Sequence, residues 1–296
     1  MRLFEGLSAF PITPTDAHAR VDEHAFQRVL EPLITAGVDS IGVLGSTGSY
    51  VYLNREQRRR AIEIAVAIAN GRVPVIAGIG AMRTDTVMGM AEDAVAAGAE
   101  GLLLAPVSYI PLTDDEVRAH VQAIANAAER PICLYNNPTT TRFDFHAALV
   151  GQLSAHPNIA AIKTPAPAHD PATYHASLTA QVEASFSVGY SVDALACEAL
   201  IAGGQAWYSA MAGVFPERCL ALARAARAGN ATQARRLDAA LQPLWALCSR
   251  HSSYRVAHEA ARLLGHTSRP PLRPIAPLPS RASDDLADVI TRLKLR

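Results

Sequence analysis

Lys163 is the only lysine in the first 293 residues of a 296-residue chain, and it lies in the apolar run IAAIKT (159–164). The chain otherwise meets its need for positive charge with arginine, two lysines standing against 25 arginines. Arginine keeps its proton at physiological pH and cannot attack a carbonyl as a free amine, whereas lysine can. A lone lysine on a buried strand of an arginine-rich chain is therefore a candidate Schiff-base nucleophile. An ordinary lysine, pKa about 10.4, is almost wholly ammonium at pH 7, and desolvation inside a protein favours the free amine. The plain alternative, a buried ion pair, needs an Asp or Glu at a neighbouring strand end, and the sequence places none there. Tyr135 ends the preceding apolar run, where a phenol can shuttle protons to and from a carbinolamine. The turn GSTGS (45–49) offers backbone N–H groups and the hydroxyls of Ser46 and Thr47, a cradle for a small carboxylate. It is not a P-loop, because no Gly-Lys-Ser/Thr follows.

These residues need a frame that brings strand ends together. Short apolar runs alternate with amphipathic stretches: LFEGLSAFPIT, SIGVLG (40–45), VPVIAGIG (73–80), GLLLAP (101–106), PICLYN (131–136), IAAIKT, ASFSVGY (184–190) and AWYSAM (206–211). Between them the spacing predicts helices over 22–36, 54–70 and 84–97, a helix opened by the capping box Thr113 to Glu116, and helical stretches from about Asp144, through Tyr174 and from about Val192. Eight β-then-α units with strands apolar on both faces predict a (β/α)8 TIM barrel over residues 1–214. Residues 215–296 read as a C-terminal helical extension, with helices over 215–228, 231–250, 254–264 and about 283–294, and a proline-rich connector at 269–279. In such a barrel the site lies at the carboxyl ends of the strands. Those ends carry Thr13, Gly45 to Ser49, Gly78 and Gly80, Pro106 to Tyr109, Tyr135 to Pro138, Lys163, Gly189 to Ser191 and Ser209. They hold no carboxylate pair, which argues against glycoside hydrolysis.

Composition narrows the partners. Half of the residues are hydrophobic, 18% are charged and the formal net charge is zero. No basic run exceeds Arg58–Arg59–Arg60, which reads as a solvated helix face, so neither nucleic acid nor an anionic membrane is the expected partner. No stretch approaches the roughly 20 apolar residues of a membrane helix, and the N-terminus lacks a signal-peptide core. Cys133, Cys197, Cys219 and Cys248 show no close pairing and read as reduced cytosolic thiols, and the ten histidines form no ligand spacing for a metal. The expected compartment is the cytoplasm.

GSTG at 45–48, YNNP at 135–138 and IK at 162–163, in that order, together with FPITP (10–14), VIAGIG and the Gly203–Gly204 pair, resemble the dihydrodipicolinate synthase and N-acetylneuraminate lyase family of class I aldolases. The resemblance implies a lyase in which Lys163 forms an imine with pyruvate or another 2-oxo acid, with no other cofactor and no metal. It implies that Tyr135 relays protons and that Ser46, Thr47 and Gly45 hold the pyruvyl carboxylate. Gly189, Ser209, Ser108 and Thr140 would line the rest, and the assembly would be a homotetramer built as a dimer of dimers. The chain departs from the lysine-pathway synthases at four positions. Thr140 stands where they carry an arginine for the second substrate, with Arg142 two residues on. Ser108, with Tyr109 adjacent, stands where they carry a tyrosine supplied across the dimer. Ser49 and Thr164 replace two frequent glutamates. Tyr109 is accordingly a candidate catalytic hydroxyl, in its own or a neighbouring subunit. The departures favour a sugar-acid or hydroxy-oxo-acid aldolase acting on a 2-oxo acid and an aldehyde over true 4-hydroxy-tetrahydrodipicolinate synthesis from pyruvate and aspartate semialdehyde. A catalytically silent pyruvate-binding or regulatory barrel is the reading from another class, and a phosphate-binding barrel enzyme would need a better anion site than GYS and SAMAG provide.

Overall fold

Short strands that are apolar on both faces bury both only when the parallel sheet closes on itself and helices cover the outside. The computed structural model of the protein describes residues 3–295 and has that architecture; Met1, Arg2 and Arg296, at the outer ends of the two expected segments, lie outside the described residues. The strands are β1 Gly6–Ala9, β2 Ser40–Val43, β3 Val75–Gly78, β4 Gly101–Leu104, β5 Ile132–Tyr135, β6 Ile159–Pro165, β7 Ser187–Ser191 and β8 Ala206–Ser209. They pair in sequence order into a closed parallel barrel, β8 returning to β1 with Leu7 opposite Trp207.

The helices are α1 Glu23–Ala36, α2 Arg55–Ala69, α3 Thr84–Ala96, α4 Asp114–Ala127, α5 Pro138–Thr141, α6 Ala147–Ser154, α7 Pro171–Thr179, α8 Asp193–Ile201, α9 Pro216–Arg227, α10 Ala231–His251, α11 Ser253–Leu263 and α12 Ser280–Arg292. The capping box expected at Thr113 and Glu116 opens α4. Two stretches differ from the expectation. A one-turn helix, α5, precedes the helix expected from Asp144: Pro138 starts it, the Thr140 and Thr141 hydroxyls donate to the Asn137 carbonyl, and Arg142 ends it in the left-handed region at φ 57°. The helix expected to run through Tyr174 begins instead at Pro171, where the Asp170 side chain caps it, and continues to Thr179.

Side chains alternate across each strand, and that alternation builds two cores. Inside the barrel sit Phe4, Ile76, Leu103, Cys133, Ala161 and Tyr208. The opposite strand faces meet the helices in a second core that continues without a break into α10, α11 and α12. Trp207 of β8 meets Trp245 of α10 edge-on, ring centroids 6.4 Å apart. The Arg58–Arg60 run is only in part a solvated face. Arg59 and Arg60 pair with Glu63 and Glu23 at the surface, but Arg58 falls on the inner stripe of α2 and is buried. Its guanidinium donates to the carbonyls of Gly78 (2.8 Å) and Gly80 (3.1 Å) at the end of β3. Burial lowers its pKa to about 10, and the Tyr50 ring lies 5.4 Å away.

Candidate active site

Lys163 faces the barrel interior because Ala161 does, two residues earlier on β6. It stands opposite Tyr135 on β5 and Gly189 on β7. The residue is 5% exposed, and its Nζ lies over three rings: 3.6 Å from the centroid of Phe10, 4.3 Å from Tyr135 and 5.8 Å from Tyr208. Gly42 and Gly45 make room for Phe10. A Cβ at Gly42 would come within 2.3 Å of the Phe10 ring, and one at Gly45 within 2.5 Å. Two missing side chains on and just after β2 thus let an aromatic ring stand beneath the amine. Among the described residues Lys163 forms no salt bridge.

The Tyr135 hydroxyl accepts from Asn137 Nδ2 at 3.0 Å and lies 3.2 Å from Ser46 Oγ. With its oxygen accepting from the amide, the phenol has its own proton free for Ser46 or for a ligand. Past β2 comes the turn of Ser46, Thr47 and Gly48. Among the described residues the backbone N–H groups of these three have no protein acceptor, and the Thr47 hydroxyl has no partner. Helix α11 braces the turn from behind: Tyr254 Oη lies 2.8 Å from Ser49 Oγ, and His258, one helical turn later, contacts the Thr47 backbone. Burial drives the His258 pKa down to about 4 against the smaller upward pull of that hydrogen bond, so the ring is neutral at pH 7.

These groups line one cavity of about 750 Å³ at the carboxyl end of the barrel. Lys163, Tyr135, Ser46, Thr47 and Thr140 all reach its wall. The other expected residues do not. Tyr208 faces the lumen, so Ser209 must face outward; its hydroxyl accepts from the Ala212 N–H at 2.8 Å and lies beside Asp193, behind the barrel wall. Gly189 stands next to Lys163 but serves as space, since a Cβ there would come within 2.5 Å of the Tyr208 ring. Gly45 has the same role towards Phe10. Ser108 and Tyr109 lie in the loop beyond β4. Ser108 Oγ donates to the Ile110 carbonyl, and Tyr109 is 83% exposed, so neither reaches the cavity of its own chain.

The cavity also holds groups that the strand ends did not suggest. Asp193, the first residue of α8, is buried beside the barrel: it accepts from Trp207 Nε1 (3.0 Å) and the Met211 N–H (3.1 Å). Desolvation raises its pKa, opposed by Ser209, by those hydrogen bonds and by the charge of Lys163. The expectation that no carboxylate stands near the lysine is thereby corrected, although Asp193 is spent on other donors. Ser249, Ser252, Ser253, Tyr254 and Arg255, at the junction of α10 and α11, line the far side. A hydroxyl-rich SSYR between two amphipathic helices was the available signal, but its place over the barrel mouth depends on how α11 docks.

Among the described residues no three His, Cys, Asp or Glu side chains are grouped to hold a metal, and no helix is long and apolar enough to cross a membrane. Comparison with known proteins agrees with the geometry. The chain is 33% identical over 293 residues to a 4-hydroxy-tetrahydrodipicolinate synthase of Acidiphilium cryptum, covering 99% of each. It superposes on the crystal structure of a dihydrodipicolinate synthase from Agrobacterium tumefaciens with a TM-score of 0.96 at 51% identity, covering 98% of both chains. It also resembles a prophage protein of the dihydrodipicolinic acid synthase family from E. coli K12, solved in complex with pyruvate, with a TM-score of 0.90 at 26% identity over the full length of both. Residues 3–293 match the dihydrodipicolinate synthetase family, and the chain belongs to it.

Proposed function

We propose that Lys163 attacks the C2 carbonyl of pyruvate, or of the pyruvyl end of a larger 2-oxo acid, and that the imine so formed carries carbon–carbon bond formation or cleavage. The chain is an enzyme of the pyruvate-dependent lyase and aldolase class of its family. The amine adds to C2, Tyr135 supplies the proton that lets the carbinolamine oxygen leave as water, and a cationic imine results. Tyr135, left as a phenolate by that step, takes a C3 proton to give the enamine, whose C3 attacks an aldehyde carbon; Tyr135 then protonates the new alkoxide, and water hydrolyses the imine to release product and amine, returning a proton to the phenolate. The cleavage direction is the reverse. The imine is itself the electron sink, so the cycle needs no further cofactor. The rings of Phe10, Tyr135 and Tyr208 suit the iminium, which presents a cation to their π faces. The pyruvyl carboxylate would take the free N–H groups of Ser46, Thr47 and Gly48 and the Thr47 hydroxyl.

The observation that carries this reading is a single buried amine, without a salt bridge, beside a phenol already held by Asn137 and Ser46. Exchange of the pyruvate methyl protons in D2O, followed by NMR, tests it without knowledge of the aldehyde. The protein should catalyse the exchange and Lys163→Arg should abolish it, because the charge stays and the nucleophile goes; exchange by the variant would refute the assignment. The same reading places the protein in the cytoplasm, in keeping with four buried free cysteines, and assembles it as a homotetramer. Exposed Tyr109, Ile110 and Met82, in the loops after β4 and β3, suit a subunit contact. Light scattering should give a particle of about four 31.5 kDa chains, and a monomer would exclude the assembly.

A further inference from the structure

We propose that Arg255 receives a second carboxylate, at the end of the substrate remote from Lys163, so that the natural 2-oxo acid carries an anionic group at each end. The inference rests on the Schiff-base reading above and names the substrate class that the same cavity takes. Among the described residues the cavity wall holds two basic side chains, Lys163 and Arg255, and one carboxyl group, Asp193. Asp193 is committed to Trp207 and Met211 and cannot neutralise Arg255. Arg255 is half-buried and, among the described residues, has no hydrogen bond and no ion pair. Its helix offers a contrast, for Arg262 is held by Glu259 at 2.7 Å. The hydroxyls of Ser249, Ser252 and Ser253, on the same part of the wall, are likewise without partners. A guanidinium facing a cavity with its donors unspent is matched best by a carboxylate, which accepts two parallel N–H bonds from it.

Charge balance selects a carboxylate over a phosphate. The pyruvyl carboxylate is served by neutral donors of the turn after β2. One guanidinium balances one further unit charge and would leave a phosphate group under-neutralised. The chain thus has Thr140 on the β5 side, with its hydroxyl turned to the Asn137 carbonyl, and a free arginine contributed by the C-terminal helices. A substrate bound this way would run from Lys163 towards the α10–α11 junction, past hydroxyls suited to a hydroxylated middle.

Borohydride trapping on Lys163, followed by mass spectrometry at graded ligand concentrations, tests the inference without an aldehyde. The probes are pyruvate and two matched pairs: 2-oxoglutarate with 2-oxopentanoate, and 2-oxoadipate with 2-oxohexanoate. At least one diacid should half-saturate trapping at a concentration about 10- to 100-fold below that of its monoacid, the range expected for a charged hydrogen bond. Arg255→Gln should bring that ratio to within about twofold of one, and Arg255→Lys, which keeps the charge and loses the fork, should leave an intermediate value. Ratios near one for both pairs in the wild-type protein would overturn the proposal whether or not the variants fold, as would a preference that survives in folded Arg255→Gln. Trapping by pyruvate without a diacid preference would sink this inference alone, whereas absence of any pyruvate adduct on Lys163 would remove the Schiff-base reading and this inference with it.

Discussion

Tyr135→Phe removes one oxygen and leaves the ring 4.3 Å from Lys163 Nζ in place, so it isolates the phenol from the aromatic cage. The oxygen has two neighbours, Asn137 Nδ2 at 3.0 Å and Ser46 Oγ at 3.2 Å. Each hydrogen bond contributes about 1 kcal/mol net, and both neighbours border an open cavity where water can replace the lost partner. The stability cost should therefore stay below about 2 kcal/mol and leave the barrel folded. The kinetic cost should be far larger. A positioned proton donor contributes about 10²–10⁴ in rate, equivalent to about 3–5 kcal/mol of barrier. The assay is exchange of the pyruvate methyl protons, measured beside a thermal melt. An exchange rate within a factor of three of wild type would refute the role of the phenol. A loss accounted for by unfolding would show that Tyr135 holds the wall and does not move protons.

Two further perturbations test the supports of the site. Gly42→Ala drives a methyl group into the Phe10 ring at 2.3 Å and should cost about 1–3 kcal/mol by overpacking, with slower exchange as the ring leaves Nζ; unchanged stability in urea would deny the ring its fixed seat. His258 is neutral in the folded protein, with its pKa near 4, against about 6.5 in the unfolded chain. Between those values the unfolded state binds the extra proton, so stability falls as the pH drops, by about 2 kcal/mol at pH 5. His120, His175 and His266 are lowered in the same sense by burial. The contribution of His258 is therefore the difference from His258→Gln, and an identical pH slope in that variant would contradict it.

The barrel was legible because its strands need two apolar faces, a demand written into runs such as GLLLAP and IAAIKT. Lys163 and Tyr135 could be placed because both lie within strands, where position fixes direction. Ser209 was misplaced for the same physical reason: it lies within β8 one residue past lumen-facing Tyr208, and the alternation turns it outward. Ser108 and Tyr109 lie in a loop, which has no period to read, and they point away from the cavity of their own chain. Asp193 lies past a residue in the left-handed region, Val192 at φ 68°, which redirects the chain after β7. Arg255, Tyr254 and the serines were hidden because nothing local in the sequence says that α11 crosses the mouth of the barrel. Arg58 shows the limit of composition: three consecutive arginines look alike in sequence, yet the helical period sends one of them inside.

The central claim is covalent, and the scarcity of lysine makes it easy to test. Incubation of the wild-type protein with pyruvate and borohydride, followed by peptide mapping, has two lysines to distinguish, Lys163 and Lys294. The account predicts one reduced pyruvyl adduct, on Lys163; an unmodified Lys163 at saturating pyruvate, or an adduct confined to Lys294, would contradict it.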